Sequence, residues 1–237
     1  MAENRTNAER FLSAYNTITK ELELIVGMNK YLPFFRLVDM AKKKNGIVMH
    51  FKDDLKEYSY LRNAIVHDRD FPERVIADPH ISVVEKLEYI ASQLTEPQTL
   101  IPIFERDVVT FDISQTVQEL MDGIKIFGFS QFPVMQNGIC TGLITDRGIT
   151  RWFVNDLEKC RQLNEITLKD VLNFEKNIKN YTFMAKSKNV YDIRELFYHH
   201  LERHGVRLEA VLITDNGRPD ERLLGIITPF DMVRLRF

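Results

Sequence analysis

A chain of 237 residues, 44% hydrophobic and 28% charged, is long enough to bury a core and to divide into two domains. With 32 basic against 34 acidic residues the formal net charge is −2, so no overall basic field announces a nucleic-acid partner. No stretch approaches ~18 uninterrupted apolar residues, and the polar start "MAENRTNAER" carries no secretory signal. Cys140 and Cys160 fit neither a metal spacing nor a redox pair, so the expectation is a reduced, cytoplasmic protein with no membrane partner.

Residues 1 to about 97 carry helical signals almost throughout. "NAERFLSAYNTITKELELIVG" places Phe11, Tyr15, Ile18, Leu22 and Ile25 at three- and four-residue steps, with Gly27 as a stop. "LPFFRLVDMAKKKNG" has Pro33 near its start, lysines in its last turn and Gly46 after it, the punctuation of a short helix. "DDLKEYSYLRNAIVH" follows, with Leu55, Tyr58, Leu61 or Arg62, and Ile65 on one face. "DPHISVVEKLEYIASQL" makes a fourth helix, entered at Pro79. Four helices on short connections predict an antiparallel bundle.

"TEPQTLIP" marks a boundary, after which the period changes. Strand-like runs, "FPVM", "TGLIT", "EAVLIT" and "LLGIIT", alternate with amphipathic helices. This half contains an internal repeat, Thr116 to Ile149 and again Val190 to Met232. Each copy reads helix, strand, Asn-Gly turn (Asn137-Gly138, Asn216-Gly217), strand, helix start, and the second has the longer tip. The predicted class is therefore α+β, a helical domain over 1–97 and a repeated domain over 98–237.

Pro133-Val134, Gly142 to Thr145 and Gly225 to Asp231 carry a resemblance. Two copies of helix, strand proline, turn and "G-h-h-T-x-x-D" resemble a tandem pair of CBS domains, covering about 98–160 and 161–237. The resemblance implies a pseudo-twofold pair of β-α-β-β-α units that binds an adenine nucleotide (ATP, ADP, AMP or a relative) as an effector and reports it to a neighbouring domain. Local chemistry is compatible. In "GIITPFDM" a strand runs into a helix at Pro229, where outward amides and the helix dipole favour an anion. Thr228 is then the phosphate ligand and Asp231 the ribose ligand, and Gly225 admits close approach to the backbone. Ser130, Gln131 and Phe132 are assigned wall and backbone contacts to the base. The plainer reading is that Thr228, Pro229 and Asp231 simply start a helix well.

The first copy departs from that pattern, since "GLITDRG" keeps Gly142 and Thr145 but has Gly148 where the family carries its aspartate. A degenerate second cleft is expected there, with Thr145 and a phosphate charge from Arg207, and one riboside bound per chain. Ala210 also replaces the usual strand proline of the second copy, and Arg207 reads equally as a solvated surface arginine.

"RNAIVH" resembles the Arg-x4-His motif of HEPN domains, helical bundles of which many cut RNA without metal at a dimer interface. Carried over, Arg62, Asn63 and His67 become the catalytic candidates, single-stranded RNA the substrate and a homodimer the working form. The chemistry is coherent: histidine exchanges a proton near neutral pH and a guanidinium stabilises the phosphorane oxygens. Asn63 and His67 are four apart and share a face, whereas Arg62 and His67 are five apart, roughly 140° around a helix. Arg62 must therefore reach with its long stem or act in a groove shared by two chains. The plainer reading makes Arg62 an ion-pair partner of Asp68 or Asp70 and His67 a helix C-terminal cation.

No metal site, phosphate loop or nucleophile elbow is visible, so a bound nucleotide is an effector and no further cofactor is expected. The combined expectation is a nucleotide-sensing regulatory protein whose CBS-like pair controls a HEPN-like domain, a candidate metal-independent endoribonuclease. The alternative is a sensor without chemistry, whose bundle dimerises or docks a partner.

Overall fold

The computed structural model describes residues 6–27, 31–67, 78–155, 162–175 and 180–234, the side chains of His67 and Arg234 excepted. The chain divides into two compact units, Met1–Gln98 and Thr99–Phe237.

In the first unit α1 (Asn7–Val26) starts at a reciprocal cap: Thr6 accepts from the Glu9 amide while the Glu9 carboxylate accepts from the Thr6 amide. It ends where Gly27, at φ 69°, donates to the Glu23 carbonyl. Phe11, Tyr15, Ile18 and Leu22 are buried as expected, but the next buried position is Val26, a full four-residue step on, and Ile25 is only partly covered. α2 (Phe34–Ala41) stops earlier than its lysines imply, and Gly46 does not follow a helix. It opens an extra one, α3 (Gly46–His50), because Asn45 caps it by accepting from the Val48 amide at 3.1 Å. α4 (Lys52–His67) buries Leu55, Tyr58 and Ile65. α5 (Ile81–Thr95) packs on α1 through Val84, Leu87 and Ile90, and Arg10 clasps Glu88 with two bonds of 2.9 and 2.7 Å. The described residues thus hold five helices here where the pattern predicts four.

The second unit opens with the short α6 (Leu100–Ile103). Then the order strand, helix, strand, strand, helix occurs twice. The first pass is β1 (Phe111–Asp112), α7 (Val117–Phe127), β2 (Gln131–Gln136), β3 (Ile139–Thr145) and α8 (Asp146–Asn155). After α9 (Leu168–Leu172) the second is β4 (Tyr181–Ala185), α10 (Val190–His204), β5 (Ala210–Thr214), β6 (Gly225–Ile227) and α11 (Pro229–Arg234). Each pass makes a three-stranded sheet, β1-β2-β3 and β4-β5-β6, whose first pair is parallel and second antiparallel. Asn137 and Gly138, at φ 52° and 79°, make the expected two-residue turn between β2 and β3. Asn216-Gly217 does not repeat it. There the Thr214 hydroxyl accepts from the Gly217 and Arg218 amides, Glu221 accepts from Asn216, and β6 starts only at Gly225. Phe111, Val117, Leu120, Phe132, Val134, Ile144 and Trp152 form the core of the first pass.

Candidate functional site

Each antiparallel strand pair delivers a threonine to the start of a helix, and the two ends differ in what meets it. At the end of β6 the Asp231 carboxylate folds back: its Oδ2 accepts from Thr228 N at 2.8 Å and from Thr228 Oγ1 at 2.9 Å. This is the helix-starting geometry that the plainer reading anticipates. It also fixes the carboxylate in place, and the Asp231 side chain is 15% exposed. Arg106, from the segment ahead of β1, reaches the same spot, donating from Nη2 to Asp231 Oδ2 at 3.2 Å and to the Ile226 carbonyl. Arg106 and its neighbours Glu105 and Asp107 line a cavity of about 320 Å³ with Arg222, Leu223 and Leu224. A guanidinium, a fixed carboxylate and a strand-end hydroxyl therefore stand together, a set suited to a phosphorylated polyol.

Gly225 serves another purpose than the one expected. A Cβ there would collide with the Phe104 carbonyl, so the close approach is made by the chain's own backbone and not by a ligand.

At the end of β3 the acceptor comes from elsewhere. Glu175, in the segment between α9 and β4, places Oε1 2.6 Å from Thr145 N and 2.9 Å from Thr145 Oγ1. Asn180 adds Nδ2 at 3.4 Å from Glu175 Oε2 and 3.3 Å from the Leu143 carbonyl. Burial pushes the Glu175 carboxyl above its ordinary pKa, against the pull of its bonds from Thr145. Arg207 does come to this end, where its Nε lies 3.6 Å from Glu209 Oε2, while Arg147 of α8 reaches Glu209 Oε1 at 3.4 Å. Both arginines are more than half exposed, so each pair contributes little stability.

Ser130, Gln131 and Phe132 are regrouped. The Ser130 carbonyl accepts from the Asp146 amide and Gln131 pairs with Thr145, so both border the first strand end. The Phe132 ring is 1% exposed and packs against Phe111, which leaves only its backbone to face a ligand. The ring belongs to a run of three buried residues, Phe132 to Val134, in β2. Arg106, Glu175, Asn180 and Glu209 belong to no motif, and no sequence signal finds them: Arg106 and Asp231 are 125 residues apart.

In the helical unit Arg62 is half-buried and Asn63 exposed. Arg62 Nη1 lies 3.3 Å from Asn63 Oδ1, and both line a cavity of about 330 Å³ with Tyr15, Tyr31, Phe35 and the buried Ser59. Burial raises the pKa of the Tyr15 hydroxyl, and the positive charge of Arg62 opposes that rise. The His67 side chain, Asp68 and Asp70 lie outside the described residues, so the spacing of Arg62 to His67 and the alternative ion pairs are not set by this geometry. Among the described residues no cluster of three metal-ligating side chains occurs, and His199 is engaged by Glu195 and Glu202. The buried Cys140 thiol is pushed up to about 11 by desolvation, which makes it a poor nucleophile. Among the described residues no helix is long and apolar enough to cross a membrane.

No curated protein matches the chain. Among solved structures, the CBS domain of a CBS-domain-containing membrane protein from Sphaerobacter thermophilus is 19% identical, with 65% of this chain and 98% of that one covered and a TM-score of 0.45. A CBS-domain-containing protein from Agrobacterium tumefaciens is 20% identical over 56% of this chain and 90% of its own, at a TM-score of 0.41. A CBS domain pair in complex with 5′-methylthioadenosine and S-adenosyl-L-methionine is 17% identical over 58% and 94%, at 0.40. The family model for the CBS domain matches residues 102–155, from within α6 through α8.

Proposed function

We propose that Thr99–Phe237 is a pair of CBS-like repeats that senses an adenine nucleotide and controls the helical unit. One observation carries the reading: Asp231 is fixed through a single oxygen, Oδ2, by Thr228 and Arg106. On this reading Oδ1 accepts from the ribose hydroxyls, and Arg106 with Arg222 supplies phosphate charge at the adjoining cavity. We take the nucleotide as an effector. Calorimetric titration with ATP, ADP and AMP tests this. Binding of at least one is expected, and Asp231→Ala should weaken it by about 10- to 100-fold, the loss of charge-assisted bonds worth ~1.5–3 kcal/mol. Absence of binding to all three, or unchanged affinity in the variant, overturns the assignment.

For the helical unit we favour cleavage of single-stranded RNA by a dimer, with Arg62 stabilising charge, Asn63 orienting and His67 moving the proton. The placement of Arg62 and Asn63 on one cavity supports it. The competing reading, docking without chemistry, is favoured by the large exposed apolar and aromatic side chains Leu24, Tyr31 and Tyr60 on the same unit.

A further inference from the structure

The first strand end does not lack a carboxylate; it receives one from a distant segment. In the second pass Thr228 N and Oγ1 donate to Asp231 Oδ2 at 2.8 and 2.9 Å, and Asp231 is the third residue after the threonine. In the first pass Thr145 N and Oγ1 donate to Glu175 Oε1 at 2.6 and 2.9 Å, and the third residue after the threonine is Gly148. A Cβ on Gly148 would fall inside the Glu175 carboxyl group, with Oε1, Cδ and Cγ as its nearest atoms. The Gly148 backbone is helical, within α8, so no left-handed conformation demands glycine there. A side chain there would displace the Glu175 carboxyl group.

We propose that Glu175 is the carboxylate of the first cleft, standing in for the aspartate that position 148 lacks, and that it closes this cleft to ribosides. The proposal rests on reading the two strand ends as equivalent nucleotide clefts. Three further observations set the ends apart. Thr145 is 3% exposed and Asn180 4%, whereas Thr228 is only partly covered. The second oxygen of Glu175 faces Asn180 Nδ2, so it is turned into the protein and not toward a ligand. The Thr145 hydroxyl is used twice, donating to Glu175 as Thr228 does to Asp231 and in addition accepting from the Gly148 amide at 3.1 Å. Glu175 thereby determines which cleft takes a nucleotide.

The decisive experiment is a double-mutant cycle at 148 and 175 in the full chain, read by melting temperature and by ADP stoichiometry. Glu175→Ala leaves the buried Thr145 donors unpaired and should lower the melting temperature by roughly 3–6 °C. Glu175→Gln keeps an acceptor oxygen and should restore most of that loss. In the Gly148→Asp background a local carboxylate can take the same bonds and the Glu175 carboxyl is already displaced, so Glu175→Ala should cost nothing there or raise the melting temperature. The Gly148→Asp/Glu175→Ala protein should also bind two ADP where the wild type binds one. Equal cost of Glu175→Ala in both backgrounds, or two ADP on the wild type, overturns the proposal. Coupling between 148 and 175 in a wild type that binds no nucleotide supports the role of Glu175 and sinks the nucleotide reading alone.

Discussion

Arg62 sits beside a buried phenol and an exposed amide, and its neighbours constrain what it can do. Its Nη1 lies 3.3 Å from Asn63 Oδ1, and its positive charge opposes the raised pKa of Tyr15 on the same cavity. A positioned cation is what a pentavalent phosphate requires. On the proposed reading the purified protein should cleave single-stranded RNA in EDTA and leave a 2′,3′-cyclic phosphate. Arg62→Ala should reduce the rate about a hundredfold or more, the equivalent of ~3 kcal/mol of transition-state stabilisation, with the fold retained. His67→Ala should do the same, and Asn63→Ala should cost less because it carries no charge. If the wild type cleaves no RNA in a broad panel, or both charged variants cleave at the wild-type rate, these residues are structural.

Between elements, short polar links matter as much as apolar faces. Asp39 of α2 accepts from Lys42 of its own helix end at 2.8 Å and from Lys56 of α4 at 3.0 Å. Those two bonds, Lys42 first, hold its carboxyl down at about 2. A folded pKa below the unfolded value means stability that is present above roughly pH 4 and lost as pH falls toward 2. The side chain is 41% exposed, so the link is worth less than ~1 kcal/mol. Asp39→Asn should lower the urea midpoint slightly at pH 7, with the gap closing between pH 4 and pH 2; a gap that persists at pH 2 would mean the effect is not electrostatic. Elements of this size are legible where local chemistry decides them. Thr6 with Glu9 and the Asn137-Gly138 turn both act as their residue types imply. α3 was not legible, because "KKKNG" reads as a helix end and only the Asn45 side chain turns Gly46 into a beginning. Nor was β4, whose "YTFMA" is half-buried throughout and shows no alternation.

At the scale of the whole molecule, the strand-end threonines were visible in the repeat, and their partners were not. Thr145, Thr228 and Asp231 lie inside a motif of fixed spacing, whereas Arg106 and Glu175 arrive through the folding of segments with no periodicity of their own. Long-range polar partners are set by tertiary geometry, which a single sequence does not display. A sensor further requires that the bound nucleotide prefer one state of the protein, since equal affinity for two states shifts nothing. Hydrogen exchange of the full chain with and without saturating ADP measures this most directly. The account predicts altered exchange not only around Thr228 and Asp231 but also within residues 7–95, and loss of both changes in Asp231→Ala. Protection confined to residues 99–234, with the helical unit exchanging identically in both samples, would contradict it.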